Sequence, residues 1–375
     1  MEPIVIAMSG GVDSSTAAAL LKHQGFQPIG LSMQLWNYRR DESAHPERSE
    51  PRSGSCCSLD DIYDARRVAN ALDIPFYVVN LEEAFEQEVV VPFVNSYLSG
   101  FTPIPCIQCN TFLKFNRLIA KAQQLGASAV ATGHYARIQL NQTSRRYELL
   151  RGRDGAKDQS YFLFELKQEQ LEKIRFPLGT YTKQEIREMA AHYGLPVSEK
   201  PESQEICFIP HNDYSLFVKK YLSSHPETAS PEGLPGRGEI VDSSGNVLGE
   251  HHGFFQFTVG QRKGLGIASG HPLYVLETDP IRNRVTVGRG DELLKKQLVA
   301  AKVNWIAIDC LKESMRVSAK IRNRHEAAHG TLYPADENEV VLEFDEPQRA
   351  ITPGQAAVFY VDDLVIGGGW IKEGR

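Results

Sequence analysis

The sequence has no apolar run near the roughly 18 residues that a membrane-crossing helix requires. The opening run Pro3–Met8 is short, follows no basic segment and passes at once into polar residues, so no secretory signal is expected and the chain reads as cytoplasmic. A positive excess is missing as well. At a net charge of −6, contact with nucleic acid has to come from a local basic patch rather than from the whole chain. Cysteine is scarce for the length, with six in 375 residues, which argues against a disulfide framework. Catalysis, metal binding or burial is left for Cys56, Cys57, Cys106, Cys109, Cys207 and Cys310. Repeats and low-complexity tracts are absent. What is present is a 42% hydrophobic content over a length that suits two or three domains.

The first third alternates short apolar runs with helical patterns. Pro3–Met8, Pro28–Met33, Phe76–Val79 and Ala129–Thr132 read as strands. Helical patterns at Ser14–Gln24, Ser58–Leu72, Leu81–Leu98 and Thr111–Gln124 separate them, and another covers Thr182–Tyr193. Strands alternating with helices predict an α/β fold with a doubly wound parallel sheet, whose ligands sit beyond the carboxyl ends of the strands. Asn37–Ser55 is charged, Ser-rich and aperiodic, and reads as a mobile loop. From about Asn212 glycine and proline cluster, then short alternating segments run almost to the end. The expected division is a catalytic domain over 1–211, a small central domain over 212–275 and a C-terminal β-barrel over 276–375.

Ser9-Gly10-Gly11-Val12-Asp13-Ser14 lies between the first strand and the first helix. Adjacent glycines let the backbone approach a phosphate, and a helix start aims unpaired N–H groups at it. Ser9, Ser14 and Ser15 add hydroxyl donors, and Asp13 can orient the loop or help hold Mg2+. The loop lacks the Gly-Lys-Ser/Thr ending of the kinase-type phosphate loop and the Gly-x-Gly-x-x-Gly dinucleotide spacing. It resembles the loop of the PP-loop ATP pyrophosphatases, which implies cleavage of ATP to AMP and pyrophosphate with adenylation of a substrate oxygen.

Cys106-Ile107-Gln108-Cys109-Asn110 carries a Cys-x-x-Cys ahead of a helix, where a thiol is drawn toward thiolate. No second such pair or His pair completes a zinc tetrahedron. Cys207 follows far downstream in Ser203-Gln204-Glu205-Ile206-Cys207-Phe208-Ile209, Cys56-Cys57 are poorly spaced as ligands, and Cys310 reads as core. Cys106, Cys109 and Cys207 together leave an iron–sulfur cluster open as an alternative.

Five ordered segments narrow the resemblance: Gly100–Asn110, Ala131–Tyr135, Lys157–Phe162, Gly260–Gly266 and Thr352–Tyr360. Together they closely resemble the tRNA 2-thiouridylases over nearly the full length. The resemblance implies a sulfurtransferase that thiolates C2 of the wobble uridine in tRNAs for Lys, Glu and Gln. It assigns Cys109 as nucleophile and Cys207 as persulfide carrier, with a disulfide between them in the cycle and a sulfur-carrier protein or cysteine desulfurase as donor. It places ATP at Ala7, Met8, Ser9, Gly10, Gly11, Val12, Asp13, Ser14, Met33 and Gly133, with Mg2+ as cofactor. It places tRNA at His134, Lys157, Asp158, Gln159 and Gln355, and the target base at Ile104, Pro105 and Cys106; the basic segment Arg316–Arg324 is expected to add Arg322, Asn323 and Arg324 as phosphate-gripping tRNA contacts. Some family members carry Asn-Pro-Asp at that last position, and a thiol replaces the carboxylate here.

Arg316–Arg324 alternates, so a strand over it would put Arg316, Lys320, Arg322 and Arg324 on one face and Val317, Ala319 and Ile321 on the other. Arg145, Arg146, Arg151 and Arg153 form a second basic cluster. Two other readings compete: a small-molecule amidating ligase with the same loop, and an RNA-binding β module with a vestigial nucleotide site.

Overall fold

The computed structural model describes residues 2–36, 59–201, 206–209, 213–228, 235–336 and 338–375. The expected loop Asn37–Ser55, Cys56-Cys57, Ser203–Glu205 and residues 231–234 lie outside the described residues. The chain forms two compact units, one of Met1–Val90, Pro105–Asn212 and Asp363–Val365, the other of Val91–Ile104, Asp213–Asp362 and Ile366–Arg375.

The first unit is built on β1 (Pro3–Ala7), α1 (Val12–His23), β2 (Gln27–Gln34), α2 (Leu59–Ala71) and β3 (Phe76–Asn80). A helical run follows as α3 (Pro105–Gln108), a wider π-type segment Cys109–Arg117 and α4 (Leu118–Gln124). Then come β4 (Ala129–Ala131), the hairpin β5 (Ala136–Leu140) and β6 (Tyr147–Arg151), β7 (Ile174–Arg175) and α5 (Lys183–His192). The sheet order is β3-β2-β1-β4-β7, all parallel. Ile4, Ile6 and Met8 face a core shared with Ala17–Leu21 of α1, Ala65, Val68 and Ala69 of α2, and Ile186 and Ala190 of α5. A period of two on the strand and of three to four on the helices makes that packing possible. Thr182 caps α5 and Glu185 completes the capping box. From β1 the chain builds outward to β2 and β3 on one side, then to β4 and β7 on the other. The switch point lies between β1 and β4, where ligands of such sheets bind.

The second unit holds α6 (Tyr214–Ser224) and a four-stranded sheet ordered β10-β11-β8-β9. Its strands are β8 (Gly238–Val241), β9 (Val247–His251), β10 (Tyr274–Asp279) and β11 (Arg284–Gly288), so this sheet spans the expected boundary at 275. A six-stranded barrel follows: β12 (Leu294–Trp305), β13 (Met315–Lys320), β14 (Ala328–Pro334), β15 (Glu339–Arg349), β16 (Ala356–Val361) and β17 (Leu364–Gly374). Its order is β12-β15-β14-β13-β16-β17, and pairing of β12 with β17 closes it and leaves no edge.

Two expectations are corrected here. The strand expected over Arg316–Arg324 ends at Lys320, and Arg322, Asn323 and Arg324 occupy turns. Val317, Ala319 and Ile321 are nonetheless buried as the alternation requires. Cys310, expected in the core, is exposed beyond the end of β12.

Candidate active site

The loop Ser9–Ser14 sits at the switch point. Gly10 has φ +73°, and a β-carbon there would fall 2.1 Å from the Asp61 carbonyl oxygen, so only glycine fits. Gly11 caps α1 with an extended backbone and no side-chain bond to the first turn. Serines brace the loop from within. The Ser9 amide donates to Ser14 Oγ at 3.1 Å, and Ser15 Oγ donates to the Gly11 carbonyl at 2.8 Å. Gly133, just past β4, packs so tightly on α1 that a β-carbon would lie 2.8 Å from the Ser14 nitrogen. Gly10 and Gly133 thus let backbone close around the start of α1, while Gly11, where the nearest atom to a β-carbon would be Ser9 Oγ at 3.6 Å, leaves room beside the helix start for a phosphate group. Ala7 ends β1, Met8 and Val12 are buried beside it, and Met33 lies buried on β2 in register with Val79 of β3.

Asp13 does not stand open as a metal ligand. Lys183 Nζ lies 2.7 and 2.9 Å from its two carboxylate oxygens, and the Tyr135 hydroxyl donates to Oδ1 at 2.7 Å. Of the two roles expected for Asp13, orientation is the one this geometry serves. Among the described residues no three His, Cys, Asp or Glu side chains converge as a metal-binding group. Cys106, Cys109 and Cys207 are accordingly not gathered into one such group.

From Tyr135 a chain of bonds leads to the helical segment that carries Cys109. The Tyr135 amide donates to Gln159 Oε1 at 2.9 Å, and the Gln159 amide donates back to the Tyr135 carbonyl at 2.9 Å. Asp158 accepts from the amides of Gly152 and Ser160, each at 3.1 Å, and so shapes the Lys157–Gln159 turn. The next turn bonds the cysteine helix: Asn110 Nδ2 donates to the Phe162 carbonyl at 3.1 Å, and Thr111 Oγ1 to Glu165 at 3.0 Å. Cys109 is buried at the start of the π-type segment, whose widened turn is common at functional sites. Cys106, three residues earlier, is exposed, next to Pro105 at the helix start.

Cys207 is half-buried between two anchors. Downstream, Phe208 is 1% exposed and packs on Phe85, with centroids 5.4 Å apart, and on Trp36 at 6.2 Å. Burying such a ring contributes about 2–3 kcal/mol, enough to order a short turn. Upstream, Lys200 Nζ reaches Asp61 at 2.7 Å, Asp64 at 2.6 Å and the Gly10 carbonyl at 3.2 Å. Burial pulls the Lys200 ammonium down, but bonds to Asp61 and Asp64 outweigh it and leave its pKa raised. Segment Cys109–Arg117 also packs on Glu82–Val90, which carries Phe85, so both cysteine-bearing segments share one support.

His134 bonds Thr132 Oγ1 through Nδ1 at 2.7 Å and lies between Phe115 and Phe176. Enclosure first, and the nearby Lys114 second, hold its pKa well below the usual histidine value, so the ring is neutral. In the second unit, Gln355 donates to the Thr102 carbonyl at 3.0 Å, and Gly354 leaves no room for a β-carbon against Phe101 and Thr102. Gln355 thus holds the strap that leads to the buried Ile104. Arg316 is tied to Asp345 by two bonds of 2.7 and 2.8 Å, and Arg153 bonds Glu185 at 3.2 Å.

Residues 2–211 match the model described as a tRNA methyl transferase HUP domain, 231–289 its PRC-barrel domain and 295–371 an aminomethyltransferase β-barrel domain. The chain is 56% identical over 372 residues to the tRNA-specific 2-thiouridylase of Koribacter versatilis, covering 99% of both. It is 53% identical to that of Acidobacterium capsulatum, covering 98% of each, and 51% identical to that of Solibacter usitatus, covering 99% of each. The chain belongs to the tRNA-specific 2-thiouridylase family. A solved NMN synthetase from Francisella tularensis superposes only loosely, with a TM-score of 0.33 at 20% identity over 60% of this chain and 77% of that one.

Four residues of this family member's site escaped the sequence reading. Lys183 carried a signal, since a cation in the first turn of a helix opposes the helix dipole and needs another purpose. Lys200 and Asp61 had none, because their meeting at Gly10 depends on tertiary packing. Asn110 adjoined the Cys-x-x-Cys pair, and its buried Oδ1 has no hydrogen-bond partner among the described residues.

Proposed function

We propose that this protein catalyses ATP-dependent 2-thiolation of the wobble uridine in tRNAs for Lys, Glu and Gln. The observation that carries this reading is the bonded path from the phosphate cradle, through Asp13, Tyr135 and Gln159, to the helix bearing Cys109. The relatives are named for 2-thiouridine formation, whereas the family-model description mentions methyl transfer. The cysteines and the adenylation-type loop favour the former.

The C2 oxygen of uridine leaves poorly as oxide. Its attack on the α-phosphorus of ATP forms a C2–O–AMP linkage and releases pyrophosphate. The amides at the start of α1 stabilise the growing negative charge on the departing pyrophosphate, and Lys183, by neutralising Asp13, keeps that carboxylate from opposing it. A partner delivers sulfane sulfur to Cys207. In one route the terminal persulfide sulfur attacks C2 and AMP departs; Cys109 thiolate then attacks Cys207 Sγ, which forms the Cys109–Cys207 disulfide and leaves the thiocarbonyl on the base. In the other route Cys109 first expels the terminal sulfur as hydrosulfide, which attacks C2. Both end in the same disulfide, which a cellular dithiol reduces. Met33 lines the adenine side, Ile104, Pro105 and Cys106 receive the target base, and His134, Lys157, Arg322, Asn323 and Arg324 contact tRNA. Asp158, Gln159 and Gln355 hold the turns that present those contacts. We assign residues 1–211 to catalysis and the sheet and barrel beyond them to RNA contact.

The test is mass spectrometry of the wobble nucleoside after incubation of unmodified tRNA with ATP, magnesium and a persulfide donor. ATP- and Cys207-dependent 2-thiouridine is expected. A small-molecule ligase instead stays active after cysteine alkylation, and a binding module releases no pyrophosphate.

A further inference from the structure

Guanidinium groups in the second unit mostly meet carboxylates, as Arg284 meets Glu239 at 2.7 Å and Arg316 meets Asp345 at 2.7 Å. Arg262 and Arg349 are different. Both are exposed, and neither has a carboxylate partner among the described residues. They converge instead on Tyr274. The Arg349 guanidinium carbon lies 4.4 Å from the centre of the Tyr274 ring. Arg349 and then Arg262 also approach the hydroxyl closely enough to hold the phenol pKa below its usual value.

The arrangement is built rather than incidental. The Gly260 amide donates to the Val275 carbonyl at 2.8 Å, and the Val275 amide to the Gln261 carbonyl at 2.9 Å, so the Gly260–Gly266 loop is fastened beside Tyr274. The Gln261 side chain closes the loop, accepting from the Thr258 amide and donating to the Lys263 carbonyl, each at 3.0 Å. Gly290 lies under the pair, where a β-carbon would approach the Tyr274 ring at 3.3 Å and the Arg349 guanidinium at 3.5 Å. Arg322 donates to the Arg349 carbonyl at 3.1 Å, which joins this cluster to the Arg322–Arg324 turn.

We propose that Arg262 and Arg349, braced on Tyr274, form a phosphate-binding site for the RNA backbone that continues the Arg322–Arg324 contact onto the Gly260–Gly266 loop. Two guanidinium groups held beside one phenol offer paired N–H donors to a phosphodiester, and stacking lowers the entropy lost on binding. A pair of arginines bonded through the Arg349 carbonyl to a turn bearing Arg322 and Arg324 suits a polyanion better than a single small anion. The inference rests on the reading that the substrate is tRNA.

The experiment titrates fluorescent, unmodified tRNA transcript with full-length protein from 50 to 300 mM salt. Each lost phosphate contact lowers the steepness of log affinity against log salt by about 0.9. For Arg262→Gln/Arg349→Gln we expect a Kd raised roughly tenfold and a slope reduced by about one to two. In turnover, KM for tRNA rises and kcat at saturating tRNA is unchanged. Arg262→Lys/Arg349→Lys restores the slope. Wild-type Kd and slope in the Gln variant, or a Lys variant as defective as the Gln variant, overturn the inference. Failure of the wild-type protein to bind tRNA at all overturns the functional reading instead.

Discussion

Lys183 and Asp13, 170 positions apart in the chain, form an ion pair with both carboxylate oxygens engaged, at 2.7 and 2.9 Å. Their side chains are 11% and 33% exposed, so the pair is partly screened rather than deeply buried. Its consequence is chemical: the carboxylate at the mouth of the phosphate loop is neutralised before a triphosphate arrives. Lys183→Met leaves that carboxylate facing ATP. ATP affinity is expected to fall at least tenfold, about 1.4 kcal/mol, by calorimetry. An unchanged Kd contradicts this role.

The glycines of the loop are not equivalent. Gly10→Ala places a β-carbon 2.1 Å from backbone at a φ of +73°. A loss of about 1–3 kcal/mol or more is expected, read as a lower unfolding midpoint. At Gly11 the nearest atom is Ser9 Oγ at 3.6 Å, and φ is −91°. Gly11→Ala should therefore keep the wild-type midpoint while weakening ATP binding. Equal thermal losses in the two variants count against the geometry.

His134 makes stability pH-dependent with a defined sign. Its pKa is lowered in the folded protein, so below the ordinary value near 6.5 the unfolded chain binds the extra proton. The contribution is fully present above about pH 6.5 and is lost as pH falls below it, by at most about 1.4 kcal/mol per unit. Thermal melts from pH 7.5 to 5.5 should show a flatter acid decline for His134→Asn than for wild type. Parallel declines remove His134 as the cause.

Cys109→Ala and Cys207→Ala should each abolish 2-thiouridine formation while leaving ATP affinity at the wild-type value. Under single turnover without reductant, wild type should accumulate one Cys109–Cys207 disulfide per thiolated tRNA, measured by peptide mapping. Full thiolation by Cys207→Ala, supplied only with a persulfide donor, sinks the scheme.

The parallel sheet was legible because Pro3–Met8, Pro28–Met33 and Ala129–Thr132 are apolar runs between helical patterns, and each became a strand. The glycine-rich turn between β1 and α1 was legible because its geometry is local: glycine conformation and a helix start fall within six residues. The β5–β6 hairpin and the two-residue β7 were not, since short strands without strong turn signals have no period to detect. The strand expected through Arg324 shows the limit of alternation. Val317, Ala319 and Ile321 keep their inward face, but hydrogen bonding to β14 and β16 stops by Lys320 and the chain turns. Lys200 was invisible for a different reason. Its partners Asp61, Asp64 and Gly10 lie more than a hundred residues away, and nothing local marks the meeting.

The central claim is that the C2 oxygen of uridine departs with AMP. Transfer RNA carrying 18O at C2 of the wobble uridine, turned over once with ATP and a persulfide donor, tests it directly by mass spectrometry of the nucleotide products. The account predicts one 18O in AMP, none in pyrophosphate and a wobble base containing sulfur. Unlabelled AMP beside a thiolated base, with the label in pyrophosphate or water, contradicts it.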